Sequence, residues 1–404
     1  MSKIYDVAVV GGGFSGLVAA EKLSKALGGE NIIVIERNDR VGKKIFATGN
    51  GRCNLTNVDI SEKRYHSVMG GEIGFENYGE RSLIEYFNSL GVNVAEEDGR
   101  IYPSSFQAGS VVDALRLSLS SLGTVVKTGV YIQKITKDGK VFKLKYSGGE
   151  ITSERVILSC GGKVGKQYGT DGTSYALAEH FGHFATNLFP SLVQIKTDRE
   201  WIKGLKGLKI KAKIKLLSCG KEITSSTGDV LFTDYGVSGN AVFNVSAYVH
   251  GLKSPELSLE FLPWQSEDDV FKFLCGKTKL GYIGTEDIFT GVINKLLGRL
   301  IVKRCNAQKF TEREAAALAR ELKDYRLKIE GTLGFDEAQV THGGICLKDI
   351  DVTSMESKLE KGLYLVGEYV DVDGDCGGFN LQWAYTSASL AAADIKRRSK
   401  NDQD

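Results

Sequence analysis

Nowhere in this 404-residue chain do apolar residues run to the ~20 that a membrane span requires. Charge of one sign is also lacking: the formal net charge is +2, which argues against a nucleic-acid-binding surface as the main business. Histidine is scarce, with five in all, and only His180 and His183 lie close together. Two ligands do not make a metal site, so no metal is expected. There is no H-E-x-x-H, no Walker A loop and no G-x-S-x-G elbow, which sets aside the zinc peptidases, the P-loop enzymes and the serine hydrolases. The seven cysteines are dispersed and odd in number, with no C-x-x-C pair. That usage suits a reducing cytoplasm with most thiols buried. No signal peptide precedes the first apolar strand, so a cytoplasmic location without membrane contact is the expectation. Low-complexity tracts and internal repeats are missing, and 42% apolar with 25% charged residues is ordinary for a globular protein of two or three domains.

What is present begins at residues 7–16, Val-Ala-Val-Val-Gly-Gly-Gly-Phe-Ser-Gly, an apolar strand running into G-x-G-x-x-G at Gly11, Gly13 and Gly16. An amphipathic helix, a second apolar strand from Ile32 to Ile35 and an acid, Glu36, complete the unit. Gly11 permits the tight turn, Gly13 lets the backbone approach a pyrophosphate, and Gly16 lets the helix pack close to the strands. Free amides and the positive end of the helix face the phosphates, while Glu36 accepts from a ribose hydroxyl. Strand, helix, strand and acid in register identify a dinucleotide site. Gly161-Gly162-Lys163-Val164-Gly165 also follows a strand, ending at Cys160, but lacks the fingerprint frame. One full fingerprint beside a large second region favours FAD as resident cofactor over NAD as co-substrate.

Further along, helices are expected over Arg81–Ser89, from Ser110 (with Ser110-Val-Val-Asp113 as its cap), and over Thr173–Phe181. Asp138-Gly139 marks a hairpin between Val125–Thr136 and Val141–Tyr146. Residues 209–216, Lys-Ile-Lys-Ala-Lys-Ile-Lys-Leu, alternate as a half-buried strand, whose lysines are either a solvated face or a basic stripe. Leu257–Phe261 alternates likewise, and from Ser266 to about Ile329 the pattern reads as helical, with a capping box at Thr311-Glu-Arg-Glu314. Strand character returns at Ala338–Thr341 and Leu363–Val366, and a last helix spans Leu381–Arg398. The expected class is α/β, a Rossmann-type FAD-binding domain (1–194 and 333–404) interrupted by an inserted β-barrel-like domain (195–263) and a helical subdomain (264–332).

Three segments carry chemistry. The loop Gly49-Asn-Gly-Arg-Cys-Asn54 offers flexible backbone at Gly51, a cation at Arg52 and a carboxamide at Asn54, and reads equally as a cofactor cradle or a surface turn. Cys53 and Cys376 are either buried neutral thiols or redox-active ones, though neither has a resolving partner at close spacing. Asp371, Asp373 and Asp375 imitate a calcium loop until Cys376 replaces the required glycine and Gln382 the final glutamate, which excludes calcium. Strand Gly362–Glu368, that acidic glycine-rich loop and the following helix N-terminus instead suit a second cofactor contact. His342, at a strand end, is either structural or within reach of a substrate.

The fingerprint, Gly-Asn-Gly-Arg-Cys-Asn, Leu231-Phe-Thr-Asp-Tyr-Gly-Val-Ser-Gly239, Val340-Thr-His-Gly-Gly344, Thr353-Ser-Met-Glu-Ser-Lys358 and Asp373-Gly-Asp-Cys-Gly-Gly-Phe-Asn-Leu-Gln-Trp383 follow one another over the whole chain. Together they resemble the bacterial flavoproteins grouped with aminoacetone oxidase and the bile-acid 3-dehydro-Δ4,6-reductase. One departure is Asn240, where that family usually has proline. The resemblance implies that Gly11, Gly13, Phe14, Ser15, Gly16, Glu36 and Arg37 hold the ADP half of FAD, with Val130 beside the adenine. It places Lys44, Gly51, Arg52, Cys53, Asn54, Cys160, Gly161 and Gly162 along the cofactor. Gly367, Glu368, Asp373, Gly374, Gly378, Asn380 and Leu381 take its far end. The expected reaction is hydride transfer from flavin to an enone such as a dehydro-steroid, with NAD(P)H as transient reductant and Arg52 and His342 as catalytic candidates. The alternatives are oxidation of an aminoketone by O2 and a non-catalytic flavin sensor. The partner is a small molecule, and no oligomeric state is implied.

Overall fold

The computed structural model describes residues 3–67 and 75–401, which divide into two compact units, 3–189 with 339–401, and 190–338. The first is built on β1 (Ile4–Val10), α1 (Phe14–Leu27) and β2 (Ile32–Ile35). β1 is central: it pairs in parallel with β2 on one side (Val7↔Ile32 to Val10↔Ile35) and with Gly149–Leu158 on the other (Val7↔Arg155 to Val10↔Leu158). Val7, Ala8 and Val9 are fully buried, which is why this strand is a continuous apolar run rather than an alternating one. Strand Val125–Lys127 extends the sheet beyond β2, and Leu363–Leu365 lies in parallel beside Gly149–Leu158. The C-terminal helix Phe379–Asn401 packs along α1.

The sheet explains where some expectations moved. Asp138↔Val141 closes a two-residue hairpin around Gly139, but its first strand begins only at Lys134. The preceding residues are claimed by β2 through Val125–Lys127, so Val125–Thr136 is not one strand. The helix expected from Ser110 starts at Ala108, with Gln107 as an N-cap residue that makes no side-chain cap bond. Ser110 therefore sits inside the first turn, and its hydroxyl pairs with Ser105 at 2.7 Å instead. The expected Thr173–Phe181 helix is shortened to Tyr175–Glu179.

In the second unit, strands Ile195–Thr197, Lys209–Ser218, Lys221–Phe232, Gly236–Ser238, Pro255–Phe261 and Tyr325–Thr332 close into a barrel. Ala212, Ile214 and Leu216 point inward, and the alternating lysines outward, where Lys209 pairs with Asp229 at 2.7 Å. Helices Glu267–Thr278, Lys295–Arg304 and Glu312–Lys323 share one core with the barrel, through Val270, Leu274, Leu297, Ile301, Leu318 and Leu322. The helical stretch is therefore not a separate body. Its C-terminal limit also needs correction, because Tyr325–Thr332 is a strand paired with Glu256–Leu259. Tyr325 and Leu327 are buried while Arg326 and Lys328 are exposed, a period of two that the preceding helical pattern obscured. Asn240 opens the short helix Asn240–Ser246, and its side-chain oxygen accepts the Asp229 amide at 2.6 Å, a bond that proline cannot form.

Candidate functional site

A groove in the first unit runs from the end of β1 across the start of α1. Three glycines shape it differently. A Cβ on Gly16 would lie 2.0 Å from the Gly11 carbonyl oxygen, and one on Gly11, at φ +108°, 2.4 Å from the Ser159 carbonyl oxygen. Both positions are closed by backbone. Gly13 has nothing within 4 Å of such a Cβ, so it is the glycine that leaves room for a ligand. Gly13 is also the N-cap of α1 and gives no side-chain cap, so the first-turn amides are left for an incoming anion. Ser159 pins the turn by donating to the Val10 and Gly11 carbonyls at 2.9 and 2.8 Å.

Glu36 is buried at the end of β2. One carboxylate oxygen accepts the Gly12 amide at 2.8 Å, and the other accepts the backbone amide and side-chain nitrogen of Asn38, both at 2.7 Å. Its position is thus fixed by the fingerprint turn itself. Beyond it, Arg37 pairs with Asp171 at 3.0 Å and lies over the Tyr131 ring at 4.9 Å. Burial opposes ionisation of Asp171, but hydrogen bonds from Thr173 and Arg37 hold it down at about 2. Val130 and Tyr131 line the same end of the groove. Along its length Lys44 pairs with Glu368 at 2.5 Å, and Glu368 also accepts the Thr341 amide at 2.9 Å. The fit to a dinucleotide rests on these features: an open glycine at a helix start, an anchored acid one strand away, and cations along the wall.

Of the residues singled out by sequence, Gly11, Gly13, Phe14, Ser15, Glu36, Arg37, Lys44, Val130, Cys160, Gly161, Glu368, Asn380 and Leu381 line this groove. Gly16 and Gly162 do not; they are packing positions, Gly162 lying against Thr341, where a Cβ would come within 2.3 Å of its hydroxyl oxygen. Gly367, at φ +70°, abuts Ser15 and donates to Ser387 at 2.9 Å. Gly374 exchanges two hydrogen bonds with Asn380, at 2.9 and 2.8 Å. Asp373 is fully buried and meets His342 Nδ1 at 2.7 Å. Gly51, Arg52, Cys53, Asn54 and Gly378 lie off the groove lining. With its amide turned to suit its neighbours, Asn54 donates to the Thr56 and Ile101 carbonyls and accepts the Gly378 amide, so it braces the loop. Arg52 pairs with Glu97 at 2.5 Å and lies over Tyr102 at 4.5 Å. Sequence reasoning overlooked Gly12, Asn38, Tyr131 and Ser159. Gly12 and Asn38 were signalled by adjacency to the fingerprint and the acid, whereas nothing local marks Ser159.

Cys53 is fully buried, and burial pushes its thiol up to about 12; Cys160 is raised to about 12 in the same way. Both are neutral at neutral pH. Burial disfavours a charged His342, yet the hydrogen bond and charge of Asp373, with Asp371 behind, outweigh it and raise the imidazole above its ordinary value. Among the described residues no three His, Cys, Asp or Glu side chains converge as for a metal, and no helix is long and apolar enough to cross a membrane.

A family model described as the HI0933-like protein Rossmann domain matches residues 5–394. The 3-dehydro-bile acid delta(4,6)-reductase of Clostridium scindens is 36% identical over 97% of this chain and 99% of its own. A ribosomal RNA dihydrouridine synthase of Haemophilus influenzae is 28% identical over 98% and 100%. Among solved structures, the 3-ketosteroid-delta4-(5alpha)-dehydrogenase of Rhodococcus jostii RHA1 superposes with a TM-score of 0.51 at 16% identity, covering 98% of each chain, a likeness of fold.

Proposed function

The chain belongs to the HI0933-like Rossmann family and is an FAD-dependent oxidoreductase; from that premise we propose that it saturates a carbon–carbon double bond conjugated to a carbonyl in a steroid-like molecule, with NAD(P)H as reductant. The observation that carries the proposal is the full-length 36% relative, whose name specifies a 3-oxo compound with conjugated double bonds. The dihydrouridine synthase relative is named for the uracil ring, where the bond reduced is again conjugated to a carbonyl. Both names describe hydride addition to an electron-poor alkene.

FAD, when bound, supplies the hydride chemistry. The Gly13 backbone and the start of α1 would hold phosphate, Glu36 would hold ribose, and Ser15, Asn380 and Leu381 would continue the cradle. The proton required after hydride addition is assigned to His342. Asp373 occupies Nδ1, which leaves Nε2 as the atom that carries the exchangeable proton. His342 stands on the strand whose Val340 lines the groove, and Asp373 adjoins Gly374, which Asn380 fixes. Arg52 is paired with Glu97 and lies over Tyr102, so we give it a bracing role in its loop.

The test is anaerobic. NADH or NADPH is expected to bleach the oxidised flavin band, and a 3-oxo-4,6-diene steroid to restore it. If neither nucleotide bleaches the flavin, the reductase reading falls and oxidation of an aminoketone by O2 takes its place. A uridine in RNA is a second reading, favoured by the dihydrouridine synthase relatives at 28% and 26% identity. It stands behind the steroid reading because their identity is lower and the net charge of +2 gives little attraction for a polyanion. Reoxidation by uridine-containing RNA but by no enone would reverse that order.

A further inference from the structure

Between the fingerprint unit and the Gly-Asn-Gly-Arg-Cys-Asn loop lies a short segment with two faces. Lys43, Lys44, Ile45 and Thr48 line the groove, while Phe46, between them, is 40% exposed. The Arg40 guanidinium lies over the Phe46 ring at 5.6 Å. Single exposed aromatics are commonplace. Here the ring is covered by a cation that no ion pair holds. Arg37 is paired with Asp171, Lys43 with Asp39, Lys44 with Glu368 and Arg52 with Glu97. Arg40 is exposed, and among the described residues no carboxylate lies within ion-pair distance of it and no acceptor takes its hydrogen bonds. The contrast with Arg52 is instructive, since it too lies over aromatic rings, Tyr102 at 4.5 Å and Phe106 at 5.8 Å, but Glu97 neutralises it.

An exposed ring beside a guanidinium that no ion pair ties down, although Asp39 next to it shares its field, has the two features that an adenosine phosphate requires, a flat apolar face for the base and a planar cation for phosphate oxygens. It sits on the outer side of the segment whose inner side lines the groove. We propose that Arg40 and Phe46 form the docking site for the adenosine half of the nicotinamide nucleotide, outside the resident dinucleotide site. The proposal rests on the reading of NAD(P)H as reductant. It also explains how a chain with one dinucleotide fingerprint uses two nucleotides, because a surface pair of this kind needs no second Rossmann unit.

The experiment is rapid-mixing reduction of the FAD-loaded enzyme by NADH and by NADPH, in wild type, Arg40→Gln and Phe46→Ala. Each variant is expected to raise the half-saturating nucleotide concentration about tenfold, with the limiting rate of reduction unchanged. Phe46→Tyr, which keeps the ring, is expected to behave as wild type, and 2′,5′-ADP to compete in wild type but weakly in Arg40→Gln. FAD content and reduction by dithionite should be the same in all, which separates docking from a structural defect. An Arg40 effect on NADPH alone places the 2′-phosphate there, and an equal effect on both nucleotides places the pyrophosphate. Unchanged half-saturation in Arg40→Gln and Phe46→Ala overturns the docking site while leaving the reductase reading intact. Failure of both nucleotides to reduce the wild type overturns the reductase reading, and the docking site with it.

Discussion

At the scale of single residues, the fingerprint glycines separate by what surrounds them, and each type has its own test. Gly13→Ala meets no atom within 4 Å, so thermal stability without cofactor should be unchanged while FAD retention is lost. Gly16→Ala drives a methyl to 2.0 Å from the Gly11 carbonyl oxygen and should cost about 2 kcal/mol of stability, visible in urea unfolding. Equal behaviour of the two variants would refute the division of roles. Asp373→Asn removes the charge that lifts His342, so the alkaline limb of the rate at which the enone reoxidises the flavin should move to lower pH while FAD content stays the same. The sign follows from the role proposed for His342 as an acid: that role requires the protonated ring, so activity should fall as pH rises through its raised value. Lys22 on α1 offers a stability test. It is held among the rings of Tyr86, Tyr385 and Tyr78 at 4.6, 4.8 and 5.7 Å, and burial lowers it from 10.5 to about 8. Between those values the unfolded chain binds the proton that the folded one has released, so stability should rise with pH across that window. Lys22→Met should flatten the slope; an unchanged slope would show that the rings keep the ammonium charged.

At the scale of elements, legibility followed the source of the stabilisation. β1, α1 and β2 were readable because turn chemistry and apolar pattern agree within one short stretch. Thr311 caps its helix as the sequence suggests, through Glu314, because a capping box involves only local bonds. Tyr325–Thr332 was misread because its identity as a strand comes from pairing with Glu256–Leu259, far away in the chain. Ser110 was misread because Ser, Val and Asp fit a helix start in general, while the real start is set where Ala108 enters the core. The corrected strand predicts that Leu327→Ala costs about 3 kcal/mol and Lys328→Ala under about 0.5 kcal/mol. Comparable losses at these adjacent positions would argue against the alternation. The site divides in the same way. The fingerprint and Glu36 were legible, whereas Arg52 was not, because nothing near it in sequence announces Glu97 as its partner.

At the scale of the whole molecule, the groove is assembled from the two ends of the chain. Gly11 to Ser15 form one wall, and Asn380, Leu381 and Ala384 another, on a helix that packs against α1. Ending the chain after Gly378 should therefore abolish FAD binding and expose the apolar side of α1, giving an aggregating product; a soluble, yellow truncated protein would contradict this. The consequence reaches into biosynthesis. On the ribosome the fingerprint emerges well before the residues that complete its groove, with all of 190–338 made in between. The nascent chain must carry an unfinished nucleotide fold while the intervening residues are made. Cofactor loading is thereby deferred until Asn380, Leu381 and Ala384 have been made, and a chain arrested before them lacks one wall of the groove.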